Sequence, residues 1–127
     1  MTPSTVTYQG SCHCQAIRFE IVDHPITKAI RCNCSICRRK NAIMSEGYYP
    51  PGRFTLLEGE QHLATYQFEP KMVNHVFCGQ CGIHVYHSPV QNPEVGCRVN
   101  LCCIEGIDAH DLPIRLFDGR DTWQFLD

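Results

Sequence analysis

The chain has 127 residues, with 13 aspartates and glutamates, 11 lysines and arginines, a formal net charge of −2 and ten cysteines. This length can bury a hydrophobic core without cross-links, and with no linker or repeat it predicts one domain over residues 1–127. The slight negative charge, with no broad basic stripe, argues against a nucleic-acid partner. No apolar run is long enough to span a membrane, which argues against a membrane protein.

The predicted elements are mostly short strands separated by turn residues. In chain order, the strand-like segments are residues 16–22, 27–31, 53–59, 62–68, 72–77, 84–88, 96–102 and 114–119. A short helix is predicted from Ser35 to about Asn41, with Ser35 as its N-cap, and a further helical turn within residues 104–112. The chain is therefore predicted to be mainly β, with antiparallel strands and short helical turns.

The cysteine content bears on the cellular compartment. The stretch "TPSTVTYQG" after Met1 has neither the basic start nor the apolar run of a secretory signal, so a cytoplasmic location is expected. Structural disulfides are rare in that compartment, and clustered cysteines there usually bind metal or carry out chemistry. Ten cysteines therefore favour metal sites over a disulfide scaffold.

Four of the cysteines form two close pairs that together suit one structural zinc ion. Cys78 and Cys81 form a C-x-x-C turn followed by Gly82, which is typical of a zinc knuckle. Cys12 and Cys14 are one residue apart, and on an extended strand both would point to the same side. We expect this four-cysteine group to form a closed site that ties the first strand to the later sheet and contributes to folding.

Three further cysteines, Cys32, Cys34 and Cys37, lie within six residues of one another and form a second group, the triplet. Three protein ligands with one open position are typical of a catalytic zinc. Such an ion would hold an incoming thiol as thiolate. Arg38, Arg39 and Lys40 follow directly and could receive a substrate carboxylate, with Arg38 and Arg39 as the main candidates.

Other interpretations of the cysteines stay open at this point. The four-cysteine group could consist of buried free thiols, and the triplet could hold a second structural ion completed by a remote cysteine or histidine. The candidates for that fourth ligand are Cys97, Cys102, Cys103, His75 and His84. Iron suits thiolate ligands as zinc does. The three late cysteines otherwise predict small buried apolar side chains, and the seven histidines are too scattered to indicate a site.

The motifs together resemble a known family, the glutathione-dependent formaldehyde-activating enzymes, which also include the centromere protein V domain. The resemblance covers residues from Gly10 to about Trp123. The motifs that carry it occur in this order: "GSCHCQAIRFEI", "RCNCSICRRKNA", "FCGQCGIHVY", "VNLCCIEGID" and "LFDGRDTW". Two features depart from the family pattern. Gln15 stands where glycine is common, and the extra segments of longer members are missing.

The resemblance implies a β-tent fold of antiparallel sheets that holds two zinc ions. By position, the four-cysteine group matches the structural ligands and the triplet matches the catalytic ligands. The implied activity joins glutathione and formaldehyde into S-hydroxymethylglutathione, a carbon–sulfur lyase reaction. The implied partners are thus a small thiol and an aldehyde. Because edge strands of small β domains often pair, the protein is expected to be a monomer or a homodimer.

Two other classes of function fit the same cysteine groups. One is a binding module that captures glutathione or another thiol without turnover, as a carrier or a sensor. The other is a domain with two closed zinc sites that serves only as an interaction module. An open position on the triplet ion favours an enzyme or a thiol-binding module, and a fourth protein ligand there favours the structural role.

Overall fold

The computed structural model of the protein describes residues 4–68 and 71–126. Within these residues the chain forms ten short strands and one short α-helix, α1, at Ser35–Lys40. The strands are β1 Val6–Ser11, β2 Arg18–Asp23, β3 Ala29–Cys32, β4 Met44–Ser45, β5 Phe54–Glu58, β6 Leu63–Tyr66, β7 Val73–Cys78, β8 His84–Pro89, β9 Arg98–Val99 and β10 Ile114–Phe117. The prediction of a mainly β fold with short helical turns is confirmed.

The strands form three sheets, in the orders β1-β2-β5, β10-β3-β4 and β6-β7-β8-β9. The pairs of the first and third sheets are antiparallel, as the sequence predicts. One pair differs, because β10 runs parallel to β3, with Phe117 opposite Cys32. This parallel pairing brings the late part of the chain to the strand that carries the first cysteine of the triplet.

The short helix is placed by its two ends. Its N-cap is Cys34, in extended backbone and without a side-chain cap, so the prediction of Ser35 as N-cap is wrong by one residue. Its C-terminal residue, Asn41, is left-handed with φ 52°, and the Asn41 N–H donates to the carbonyl of Cys37 at 3.0 Å. Asparagine tolerates this conformation, which stops the helix after six residues.

The core lies between the sheets and includes several cysteines. Phe19 and Ile21 on one face of β2 are fully buried, and so are Val85 and Val99 on the third sheet. Cys97 and Cys103 are buried in the same core, as expected for small apolar side chains, whereas Cys102 is exposed.

Candidate functional site

The four-cysteine group is assembled from two turns. The Sγ atoms of all four residues lie within 4.8 Å of one another, with Cys14 Sγ 3.6 Å from that of Cys12 and 3.7 Å from that of Cys78. Tetrahedral ligands at the usual zinc–sulfur distance of about 2.3 Å are about 3.8 Å apart, so this spacing fits a zinc ion. All four cysteines are free.

The first pair, Cys12 and Cys14, lies on a turn. The prediction that this pair lies along a strand is therefore wrong. Strand β1 ends at Ser11, and the N–H of Gln15 donates to the carbonyl of Cys12 at 3.2 Å. Gln15 is left-handed, with φ 66°, a backbone conformation that glycine adopts without steric cost. The turn brings Cys12 and Cys14 together, as the strand was expected to do.

Backbone N–H groups point at two of these sulfurs. Ile17 N lies 3.4 Å from Cys12 Sγ, and the N–H groups of Gln80 and Cys81 lie 3.3 and 3.4 Å from Cys78 Sγ. Such donors stabilise the charged thiolate, the form of cysteine that binds metal. The chemistry of the four-cysteine group therefore fits a closed zinc site.

The triplet is assembled at the start of α1. Cys32 ends β3, Cys34 caps the helix, Cys37 lies in its first turn, and their Sγ atoms are within 4.8 Å of one another. Burial alone would raise the pKa of Cys34. Hydrogen bonds from the thiols of Cys37 and Cys32 and from the backbone of Cys37 and Ile36 outweigh burial and lower that pKa.

Within residues 4–68 and 71–126, no fourth cysteine, histidine or carboxylate joins the triplet at ligand distance. The three sulfurs are half-buried and line a cavity. Three soft ligands with an accessible side fit a zinc ion that has one open position.

The loop after β10 lies directly against the triplet. At Gly119, a Cβ atom would be 2.5 Å from Cys32 Sγ and 3.4 Å from Cys34 Cβ. No side chain larger than hydrogen therefore fits between the loop and the triplet. The reason for the glycine is the close approach of its backbone to the sulfur.

A buried carboxylate holds this loop in place. The Asp118 carboxylate accepts hydrogen bonds from Asn33 Nδ2 at 2.9 Å, from the Thr122 hydroxyl at 2.9 Å and from the backbone N–H groups of Asp121 and Thr122 at 3.2 Å. The side-chain bonds from Asn33 and Thr122 are the main reason that the pKa of Asp118 is lowered to about 2. Because Asn33 lies between two cysteines of the triplet, this network connects the loop to the site.

Replacing Asp118 with alanine is expected to loosen the loop, because four donors lose their acceptor. The single tryptophan, Trp123, packs edge-on against Phe117 at 5.8 Å and reports on this loop. We expect higher mobility of Trp123 by fluorescence anisotropy and a lower melting temperature. Asp121→Ala is the matched control, since its exposed carboxylate accepts a bond from the exposed Arg120 side chain and none of the loop bonds that Asp118 accepts. An equal loss of order in this control would contradict the role of Asp118.

A cavity of about 520 Å³ opens beside the triplet. Its lining includes the cysteines and Ile36 of α1, Phe117 at the end of β10 and Trp123 of the following loop. A smaller cavity of about 310 Å³ is lined by Asp23 and Tyr49 among others and by no cysteine. The larger cavity is therefore the candidate substrate site.

Comparison with known proteins identifies the family. The model of the family "Glutathione-dependent formaldehyde-activating enzyme" matches residues 7–112 of the chain. The protein belongs to this family. A crystal structure of a Rhodobacter sphaeroides protein from a structural genomics programme is similar, with a TM-score of 0.71 and 33% identity over 84% of this chain and 98% of that one.

The two cysteine groups of this formaldehyde-activating-enzyme family member fit the zinc binding and glutathione-dependent formaldehyde activation that characterise the family. In the described part of the chain, no helix is long and apolar enough to cross a membrane. The match to the family model confirms the resemblance recognised from the motifs.

Sequence reasoning placed Lys40 beside the triplet but missed its contacts with histidines at the cavity. Lys40 Nζ lies 3.2 Å from His75 Nδ1 and 3.3 Å from His84 Nε2, and the His75 and His87 rings are 6.1 Å apart. These residues come from α1, β7 and β8. Apart from the H-x-x-H spacing of His84 and His87, no local spacing reveals them.

The predicted substrate-binding arginines lie elsewhere in the family member's structure. Neither Arg38 nor Arg39 lines the cavity, and Arg39 Nη1 donates to the carbonyl of Ser35 at 2.7 Å. Among the described residues, the lysine and arginine side chains that line the cavity are those of Lys40, Arg98 and Arg120. A role of Arg38 and Arg39 in substrate binding stays a prediction.

Proposed function

We propose that the protein is an enzyme that joins glutathione to formaldehyde, or a similar thiol to a related aldehyde, to give S-hydroxymethylglutathione. The observation that carries the proposal is the half-buried triplet at the wall of a large cavity, with no fourth ligand in the described residues. The reaction class is that of a carbon–sulfur lyase. All ten cysteines are free, which agrees with a reducing compartment and supports a cytoplasmic location.

In this proposal each of the two cysteine groups holds its own zinc ion, and the two ions have different roles. The four-cysteine group would hold a structural zinc, and the triplet would hold a catalytic one. When bound at the triplet, zinc acts as a Lewis acid that lowers the pKa of a thiol beside it. In the overall reaction the thiol sulfur forms a bond to the carbonyl carbon, the carbonyl electrons move to oxygen, and the thiol proton ends on that oxygen.

Lys40 is the residue best placed to assist the oxygen. Burial and the charge of Lys40 lower the pKa of His75 to about 4 and of His84 to about 3, so both rings are neutral and accept hydrogen bonds from the Lys40 ammonium. An ammonium has three N–H donors, and these two contacts leave one for a substrate oxygen. Lys40 follows Cys37 by three residues, which places both on one side of α1.

The cavity walls and the loop orient the reactants. Gly119 permits the loop backbone to cover the triplet closely, and Phe117 and Trp123 add an apolar wall that limits the entry of water. A drier site strengthens the electrostatic effect of Lys40 on an oxygen that gains negative charge.

The test is an exchange measurement, because glutathione and formaldehyde also combine without a catalyst. The zinc-loaded protein is mixed with glutathione and ¹³C-formaldehyde, and NMR exchange spectroscopy follows interconversion of hydrated formaldehyde and S-hydroxymethylglutathione. We expect the wild-type protein to raise the exchange rate and Cys34→Ser to abolish the increase. Glutathione binding without faster exchange would indicate a carrier or sensor, and an equal increase with Cys34→Ser would contradict a catalytic triplet.

A further inference from the structure

The cavity beside the triplet is far larger than formaldehyde requires, and most of its wall is apolar. Its volume of about 520 Å³ is in the range that holds a drug-sized molecule. The apolar wall comes from several elements and includes Ile36, Met44, Phe68, Met72, Phe117 and Trp123. Such a wall favours a ligand with an apolar body.

One part of the wall is basic. His87 on β8 lies opposite Arg98 on β9, and the His87 and His75 rings are 6.1 Å apart. The Arg98 guanidinium lies over the Tyr48 ring, 4.5 Å from its centre. Three cationic side chains, Lys40, Arg98 and Arg120, line the cavity, and among the described residues no carboxylate does, so these charges favour an anion.

The polar capacity of His87 and Arg98 is only partly used. Arg98 Nη2 donates to the carbonyl of Glu46 at 3.0 Å, but His87 Nδ1 and Arg98 Nε are buried without a hydrogen-bond partner in the described structure. The Glu46 carboxylate is instead 3.6 Å from Lys28 Nζ, where it forms an ion pair. Burial lowers the pKa of Arg98, and no carboxylate of the described residues lies within ion-pair distance of its guanidinium, so a ligand carboxylate there would offset part of the cost of burying this charge.

His87 is neutral at physiological pH. Burial, together with the charges of Lys40 and Arg98, lowers the pKa of His87 to about 2. A neutral imidazole can donate one N–H, and Arg98 supplies a permanent positive charge beside it. The two side chains therefore offer a donor and a cation at the same part of the cavity.

We propose that His87 and Arg98 bind the carboxylate of a reactant whose apolar body lies against the aromatic wall of the cavity. The substrate class is thus an apolar thiol or aldehyde that ends in a carboxylate. Calling this ligand a reactant rests on the proposed function. The carboxylate subsite itself does not.

The test uses 3-phenylpropionate, which has an apolar body and a carboxylate but neither a thiol nor an aldehyde, and its neutral analogue 3-phenylpropanamide. Both are titrated calorimetrically into the zinc-loaded protein. We expect the carboxylate to bind at least about tenfold more tightly than the amide, the usual effect of a charge-assisted hydrogen bond. Arg98→Gln should remove this preference, and Arg98→Lys should retain part of it.

His87→Phe is the second variant. It tests the carboxylate subsite if thermal melting shows that Arg98→Gln is not folded. Arg18→Gln is the matched control, because this exposed β2 residue carries the same charge and does not line the cavity. The proposal is wrong if the carboxylate and the amide bind alike. It is equally wrong if folded Arg98→Gln or His87→Phe keeps the full preference.

Competition with glutathione assigns the subsite to one reactant. If glutathione displaces 3-phenylpropionate, the subsite receives the thiol, and if both bind together, it receives the aldehyde. A protein that prefers the carboxylate but does not accelerate the exchange of formaldehyde would overturn the proposed function while the subsite stands. Faster exchange without a carboxylate preference would overturn the subsite alone.

Discussion

Replacing Cys78 with serine is expected to unfold the protein. Cys78 is fully buried in the core, its sulfur accepts two backbone N–H groups, and it lies 3.7 Å from Cys14 Sγ. Structural zinc sites contribute about 10–16 kcal/mol of apparent binding free energy, comparable to or larger than the roughly 5–15 kcal/mol that stabilises a typical domain. We expect circular dichroism to show a melting temperature lower by at least about 10 °C, or no cooperative transition.

Cys34→Ser is the matched comparison for Cys78→Ser. Cys34 is half-buried and lines the cavity, so serine there removes a ligand of the triplet without opening the core. We expect this variant to keep the fold, with one zinc per chain lost. A mild chelator should likewise remove the triplet ion first from the wild-type protein. If Cys34→Ser unfolds the protein as severely as Cys78→Ser, the division between a structural and a catalytic group is wrong.

Gly119→Ala is expected to slow the reaction at the triplet while the fold is kept. The added Cβ would meet Cys32 Sγ at 2.5 Å and Cys34 Cβ at 3.4 Å, so the loop must move away from the site. Displacement of a catalytic wall by about 1 Å commonly costs up to about 100-fold in rate, so we expect formaldehyde exchange to slow by roughly 10- to 100-fold. The same NMR exchange measurement gives the rate.

Gly47→Ala is the control for this substitution. A Cβ at Gly47 has no heavy atom within 4 Å, and its φ lies outside the left-handed region, so alanine should fit there without strain. We expect unchanged exchange and an unchanged melting temperature for Gly47→Ala. Exchange by Gly119→Ala at the wild-type rate would show that the loop backbone does not need to approach the triplet.

The cysteine groups could be predicted from the sequence because metal ligands impose short local spacings. The C-x-x-C turn of Cys78 and Cys81 brings the two sulfurs together whatever the rest of the fold is. Cys32, Cys34 and Cys37 need only a strand end and one helical turn to converge. The pairing of Cys12 and Cys14 with Cys78 and Cys81 also followed, since a closed site needs four ligands. The local backbone was less predictable, as the turn at Cys12 shows.

The substrate cavity could not be predicted, because it depends on strand register and on contacts between distant segments. Lys40 meets His75 and His84 only because its side chain reaches from α1 to β7 and β8, and Arg98 lies beside His87 through the register of β9 with β8. Alternation of polar and apolar residues shows which face of a strand is buried, but not which strand lies next to it. The parallel pairing of β10 with β3 was hidden for the same reason.

The most direct test of the central claim, an open zinc site at the triplet that receives the thiol, is calorimetric titration of glutathione into protein of known zinc content. We predict two zinc ions per chain and glutathione binding that disappears in Cys34→Ser while the variant stays folded. One zinc ion per chain, or glutathione binding that Cys34→Ser leaves unchanged, would contradict the claim.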